Sequence, residues 1–132
     1  RGWRVRLVDQ VVTRVEKPWG YELHWAKTDR YVGKVIHVNA GHALSLQYHN
    51  LKDETILLWK GRLKFELKQG DDMRTWEMAP GERVHVTAKT VHRMTAVKDC
   101  DIIEVSTPEL DDVVRLEDRY GRVDPASTPD HS

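Results

Sequence analysis

The chain has 132 residues with 21 Lys plus Arg and 21 Asp plus Glu, a formal net charge of zero that fits one domain and argues against a nucleic-acid partner. Its single cysteine, Cys100, cannot form an internal disulfide, which fits a reducing compartment or indifference to redox state. No stretch is apolar enough to cross a membrane and the first residues lack the apolar run of a signal peptide, so we expect a cytoplasmic protein with no membrane partner.

Ten short segments alternate between apolar and polar residues or are rich in Val, Ile, Leu, Trp and Tyr, as β-strands are. In chain order the predicted strands are Arg4–Leu7, Tyr21–Ala26, Tyr31–Val38, Ala43–Tyr48, Thr55–Trp59, Arg62–Leu67, Thr75–Met78, Arg83–Val86, His92–Ala96 and Asp101–Ser106. Helix is scarce, with one or two turns expected over Glu109–Arg115. Many short strands separated by Gly, Pro, Asn and Asp predict an all-β sandwich or barrel.

The composition changes at both ends of the chain. We expect an N-terminal strand or arm over residues 1–14, a barrel over residues 15–122, and a loose C-terminal tail over residues 123–132, where two Pro and small polar residues occur. The arm contains an alternating segment, Arg1–Leu7, and the chain has five Trp. Because an exposed edge strand must be paired or covered, these features predict a homodimer through a β-rich face.

Two spaced patterns contain candidate metal ligands. They are Gly41-x5-Gln47-x-His49-x4-Glu54-x6-Gly61 and Gly81-x5-Thr87-x-Lys89-x2-His92. Gln47 and His49 are two residues apart, so on a strand both side chains leave the same face, and Glu54 follows past a polar bend. His92 lies on a strand that is distant in the sequence. A single His is more often a surface or packed residue, but two imidazoles, one carboxylate and one amide oxygen suit one divalent ion such as Zn, Mn, Fe, Co or Ni.

The two patterns resemble the two motifs of the cupin superfamily, and Gln47 in place of the usual first His is similar to the type II mannose-6-phosphate isomerase branch. Other similar stretches are Lys17-Pro18-Trp19-Gly20, Leu44-Ser45-Leu46-Gln47-Tyr48-His49, His92-Arg93-Met94, Ile103-Glu104-Val105 and Arg115-Leu116-Glu117-Asp118-Arg119-Tyr120-Gly121-Arg122. Thr87-Ala88-Lys89 departs from the Pro-Ala-Gly that is usual in that branch. The resemblance implies a single-domain cupin, which is a double-stranded β-helix or jelly-roll barrel.

The resemblance also implies a metal-dependent aldose–ketose isomerase that acts on a sugar or sugar phosphate. Glu104 is the first candidate for the catalytic acid or base, and Lys89 is the second. Alternation leaves Glu104 either exposed or directed into the pocket. Arg93 and Arg122 are candidate substrate-binding residues, with solvated cations as the simpler interpretation. Two alternatives remain open: a non-catalytic sugar-binding or regulatory cupin, and a metal-dependent oxygenase, whose site is usually richer in His than one containing Gln47.

Overall fold

The computed structural model describes residues 11–109 and 111–123, and the regular elements in these residues are all β-strands. They are β1 Thr13–Lys17, β2 Gly20–Lys27, β3 Val32–Val38, β4 Leu46–Tyr48, β5 Glu54–Lys60, β6 Leu63–Gln69, β7 Asp72–Met78, β8 Arg83–Val86, β9 His92–Ala96, β10 Cys100–Ser106 and β11 Val114–Glu117. One sheet has the order β1-β2-β3-β10-β5-β8 and the other β11-β4-β9-β6-β7. The predicted all-β jelly roll is confirmed.

Two elements differ from the sequence prediction. β1 was not predicted, because its mostly exposed sequence of alternating polar residues gives an edge strand little apolar signal. The helical turns expected over Glu109–Arg115 are wrong: Val114 and Arg115 instead begin β11, which pairs antiparallel with β4. The predicted strand Arg4–Leu7 lies outside the described residues. In the part of the chain that is described, no helix has the length and apolar character needed to cross a membrane.

The hydrophobic core lies between the two sheets. Inward positions alternate along each strand, so β5 contributes Ile56 and Leu58 and β10 contributes Ile102, while β6 contributes Leu63 and Phe65 from the opposite sheet. These side chains are fully buried, and each contributes about 1.5–3 kcal/mol by leaving water. The same inward faces carry ionisable side chains nearer one end of the strands, which creates a polar pocket beside an apolar core.

Gly61, the last residue of the first motif, lies between β5 and β6 with a φ of 99°. A Cβ at this position would lie 2.1 Å from the backbone oxygen of Asp99. Gly70 is a matched control, because it has a φ of 62° and no described atom within 4 Å of the corresponding Cβ position. We predict that Gly61→Ala lowers the free energy of unfolding by more than ~3 kcal/mol and Gly70→Ala by only ~1–2 kcal/mol, the range expected for a left-handed conformation alone.

Urea unfolding of the two glycine variants measures this difference. Equal losses would show that the close approach to Asp99 is not the reason for glycine at position 61.

Candidate metal centre

Three of the four predicted ligands meet inside the barrel. One ligand atom from each of His49, Glu54 and His92 lies within 4.8 Å of the others, and all three side chains are buried. Glu54 Oε2 is 2.8 Å from His49 Nε2 and 3.7 Å from His92 Nε2. The fourth, Gln47, is the register partner of His92 across β4 and β9 and lines the same pocket. Ser45 Oγ donates a hydrogen bond of 2.6 Å to Gln47 Oε1.

Backbone carbonyls orient both imidazoles. His49 Nδ1 lies 2.8 Å from the carbonyl oxygen of Asp112, and His92 Nδ1 lies 2.9 Å from that of Thr90. A carbonyl oxygen only accepts hydrogen bonds, so Nδ1 carries the proton in each ring, and a neutral ring then presents a lone pair at Nε2. Burial lowers the pKa of His92, which favours its neutral form. Both rings are therefore held with Nε2 directed towards Glu54, as metal-binding histidines require.

The lone pairs at the centre have no donor between them. Within the described residues, His49 Nε2, Glu54 Oε2 and His92 Nε2 have no hydrogen-bond partner. Three buried acceptors facing one another are unfavourable unless a cation lies among them. This donor set, with the Gln47 amide beside it, fits one first-row divalent ion.

A buried ion pair lies next to the ligands. Glu104 extends inward from β10, and its Oε2 is 3.1 Å from Nζ of Lys52. Burial and then the neighbouring carboxylate of Glu54 raise the pKa of Glu104. For Lys52, burial alone would lower the pKa, but Glu104 and Glu54 outweigh it and keep the amine protonated. Of the two orientations that alternation left open for Glu104, the structure has the inward one.

Lys52 and Asp112 were not singled out from the sequence. The carboxylate of Asp112 accepts hydrogen bonds from the backbone amides of Asn50, Leu51 and Lys52, at 3.1, 2.6 and 3.0 Å. The side chain of Asp112 therefore holds the loop between β4 and β5, and its backbone carbonyl orients His49. The only sequence signal for Lys52 was its position two residues before Glu54, which places both on one side of an extended chain. Asp112 gave no local signal, because its contacts are about sixty residues away in sequence.

Of the last three predicted site residues, Lys89 and Arg93 lie outside the pocket and Arg122 lines it. The side chain of Lys89 is exposed and does not line the pocket, and its φ of 65° is a left-handed conformation that favours Gly. Its backbone amide donates to the carbonyl oxygen of His49 at 2.5 Å. Arg93 points away from the pocket, because its neighbours on β9 point inward, and it pairs with Glu66 at 2.6 Å. Arg122 does line the pocket, where it pairs with Asp118 at 2.9 Å.

The pocket around the ligands is rich in cations. Its lining includes five Lys or Arg and three Glu, a formal sum of 5 − 3 = +2 before any metal charge: Lys17, Lys34, Lys52, Arg115, Arg122, Glu22, Glu54 and Glu104. One wall carries a second buried pair, in which Lys34 Nζ is 3.3 Å from Glu22 Oε1. Trp19 and Met94 are buried apolar residues of the same lining. The arrangement suits a small polar ligand that carries negative charge.

Solved structures similar to this one share its fold. The capsular polysaccharide assembling protein CapF from Staphylococcus aureus has a TM-score of 0.67 at 19% identity, over 81% of this chain and 34% of that chain. Oxalate decarboxylase from Bacillus subtilis has a TM-score of 0.71 at 10% identity, over 80% of this chain and 30% of that chain. At these identities the likeness concerns the fold alone, which is the cupin jelly roll.

Sequence relatives match more closely but are much longer. Mannose-1-phosphate guanylyltransferase from Escherichia coli (strain K12) is 34% identical over 119 residues, which is 86% of this chain and 24% of the relative. Xanthan biosynthesis protein XanB from Xanthomonas campestris pv. campestris (strain B100) is 29% identical over 114 residues, 83% of this chain and 24% of the relative. The chain thus spans about a quarter of the curated relatives that it matches. The family described as mannose-6-phosphate isomerase C-terminal matches residues 6–118, so the chain belongs to that family.

Proposed function

We propose that this chain is a metal-dependent aldose–ketose isomerase that acts on a sugar phosphate. The observation that carries the proposal is the combination of buried, mutually facing lone pairs on His49, Glu54 and His92 with an acid–base pair, Lys52–Glu104, directly beside them. The family name refers to mannose 6-phosphate and the name of the 34% identical relative to mannose 1-phosphate, which supports a phosphorylated hexose as the ligand class.

The chemistry requires that a proton move between neighbouring carbons through an enediol. A divalent ion bound by Gln47, His49, Glu54 and His92 would polarise the substrate carbonyl and stabilise the developing oxyanion. With one carboxylate ligand, a divalent ion and its ligands keep a net positive charge. Gln47 is neutral, as a His ligand would be, so it leaves this net charge unchanged. An ion held by these ligands would therefore stabilise the negative charge that develops on the substrate, and a separate group must move the proton.

Glu104 is the group placed to move that proton. Its Oε2 is buried and lies 3.1 Å from Lys52 Nζ. The carboxylate is therefore oriented by its neighbour, and Glu104 lines the pocket. Lys52 stabilises the charged form of Glu104 after proton transfer, and its own ammonium can donate to a substrate oxygen. Lys89 has no such position, so we assign the second polar role to Lys52 in its place.

The positive lining supports an anionic substrate. Arg122 is held by Asp118 through two side-chain hydrogen bonds of 2.9 Å, and Tyr120 lies beneath its guanidinium at 5.8 Å. A fixed guanidinium at a pocket wall suits recognition of phosphate, because its planar donors match two oxygens at once. Arg122 is therefore the proposed phosphate anchor.

Incubation of the metal-loaded protein with aldose and ketose phosphates in D2O, followed by NMR, tests the proposal. We expect interconversion of one aldose–ketose pair, with deuterium entering at C2 of the aldose or C1 of the ketose where the transferred proton exchanges with solvent. The absence of both interconversion and exchange for every hexose and pentose phosphate would refute the isomerase assignment. If the same ligands still raised the melting temperature, the non-catalytic sugar-binding alternative would replace it.

Arg122→Ala is expected to raise KM for the phosphorylated substrate by about tenfold or more and to leave the KM for the free sugar nearly unchanged, since it removes one charge-assisted contact. Arg93→Ala is the matched control, because Arg93 is also ion-paired but points away from the pocket. Steady-state kinetics on both sugars measure the effect. Equal changes in the two variants would remove Arg122 from the anion site.

A further inference from the structure

The second buried ion pair of the pocket is formed by side chains of β2 and β3. Glu22 and Lys34 are 7% and 8% exposed, and Glu22 Oε1 lies 3.3 Å from Lys34 Nζ. Both residues line the pocket that contains the candidate metal ligands. Neither is one of those ligands, and neither belongs to the proton-transfer pair Lys52–Glu104. The pair is therefore an additional charged feature of the same pocket.

A histidine holds the carboxylate of this pair from a second direction. His24 Nε2 lies 2.9 Å from Oε1 of Glu22, the same oxygen that faces Lys34. His24 and Lys34 are also register partners across β2 and β3. Burial alone would raise the pKa of Glu22, but the charge of Lys34 and the contact with His24 outweigh it and hold the pKa below its ordinary value. Glu22 is therefore an ionised carboxylate with a fixed position, which in turn fixes the ammonium of Lys34.

The ammonium of Lys34 has donors left for a ligand. An ammonium can donate three hydrogen bonds. Among the residues that the structure describes, Glu22 is the one carboxylate paired with Lys34. Glu104 on β10 is the register partner of Lys34, but its Oε2 lies 3.1 Å from Lys52 instead. A positively charged donor thus lines the pocket beside the group that is placed to move the proton.

Stability alone does not account for charges at this position. Removing two charges from water costs free energy that their attraction often fails to recover, and apolar replacements of similar size are often as stable or more stable. The next inward residues along the same two strands, Ile36 on β3 and Ile102 on β10, belong to the hydrophobic core. An apolar residue in place of Lys34 would extend that core by one layer. A charged side chain at this position is better explained by a ligand.

We propose that Lys34 is a substrate-binding residue whose ammonium donates hydrogen bonds to the sugar oxygens at the reacting carbons, and that Glu22 and His24 are positioning residues that hold it there. This assignment rests on the proposed function for the class of its ligand.

Strand register gives the location of the contact on the substrate. Facing residues of neighbouring antiparallel strands have Cα atoms about 4.5–5.5 Å apart, which places Lys34 next to Glu104. A charge-assisted hydrogen bond strengthens as negative charge develops on the substrate oxygens during proton transfer. Lys34 therefore binds the reacting end of the sugar, whereas Arg122 is the proposed anchor of its phosphate.

Isothermal titration calorimetry with an open-chain hexitol phosphate tests the contact. This ligand has the hydroxyls and the phosphate of a hexose phosphate but no carbonyl, so it cannot be isomerised. We expect Lys34→Met to weaken its binding by about tenfold or more, since a charge-assisted contact is lost. Lys64→Met is the matched control and should bind as the wild type does, because Lys64 alternates on β6 with the inward Leu63 and Phe65 and so faces away from the pocket. Equal affinities in the two variants would overturn the proposal.

Inorganic phosphate, titrated into the same variants, locates the contact on the ligand. Lys34→Met should change the affinity for phosphate much less than the affinity for the hexitol phosphate. Equal losses for the two probes would place Lys34 at the phosphate and overturn its assignment to the reacting end.

The double variant Glu22→Gln/Lys34→Met tests the positioning role and also serves if Lys34→Met alone does not fold. If Glu22 acts through Lys34, Glu22→Gln weakens binding by itself but adds nothing to Lys34→Met. The double variant leaves no unpaired charge, so it should melt at or above the temperature of the wild type. A double variant that melts lower and binds the hexitol phosphate as the wild type does would show that the pair is structural, and would overturn the proposal.

Kinetics on the sugar phosphate separate this assignment from the proposed function. A wild type that binds the hexitol phosphate through Lys34 but interconverts no aldose–ketose pair would refute the isomerase and leave Lys34 as a sugar-binding residue. An active enzyme in which Lys34→Met keeps the wild-type kcat/KM would refute the role of Lys34 and leave the isomerase standing.

Discussion

Glu104→Gln is expected to retain the bound metal and to lose turnover by about a hundredfold or more, the usual scale for a general acid–base group. The substitution keeps the size of a buried side chain and removes the carboxyl that accepts or gives the proton. It also removes the charge that pairs with Lys52 at 3.1 Å. Because Glu104 is not among the three clustered ligand residues, the metal should stay bound.

Glu54→Gln distinguishes metal binding from proton transfer, because this variant should lose the bound metal and turnover together. Inductively coupled plasma mass spectrometry and a single-turnover assay on both variants give the comparison. A Glu104→Gln variant with wild-type rate would remove Glu104 from catalysis, and one without metal would place Glu104 among the ligands.

The second large effect is expected for His49→Ala, which should reduce the metal content from about one ion per chain to a small fraction of that. Loss of a direct ligand exceeds the 10–100-fold effect on affinity that is typical of residues behind the ligands. His24→Ala is the matched control, because His24 bonds Glu22 at 2.9 Å on the pocket wall and does not belong to the cluster of potential ligands. Equal metal retention in the two variants would refute the assignment of His49.

The fold was largely predictable because a buried core requires apolar residues at every second position of a strand, and this alternation is visible in the sequence. Ile56 and Leu58 on β5 and Ile102 on β10 are all inward, as their spacing requires. β11 was not predictable in the same way. The segment before Val114 is acidic and has no alternation, and pairing with β4 rather than local propensity makes its last residues a strand. Strand pairing between distant segments is a tertiary effect that a local pattern does not contain.

The candidate ligands were predictable because a bound ion would require donors of fixed types at fixed spacings, and three of the four meet at the centre. The residues around them were less predictable. Arg93 follows an inward His92, so alternation already places it outward, and its assignment as a substrate-binding residue rested on its position beside His92. Lys52 and Asp112 contribute through contacts that join loops far apart in sequence. Such contacts follow from the closure of the barrel and have no signature at either position alone.

Anomalous diffraction from crystals grown with zinc tests the central claim most directly, because it locates the ion among named atoms. The account predicts one strong peak per chain, about 2.0–2.2 Å from His49 Nε2, His92 Nε2, a carboxylate oxygen of Glu54 and the amide oxygen of Gln47. A peak bound elsewhere, or no peak between His49, Glu54 and His92 in crystals saturated with the metal, would contradict it.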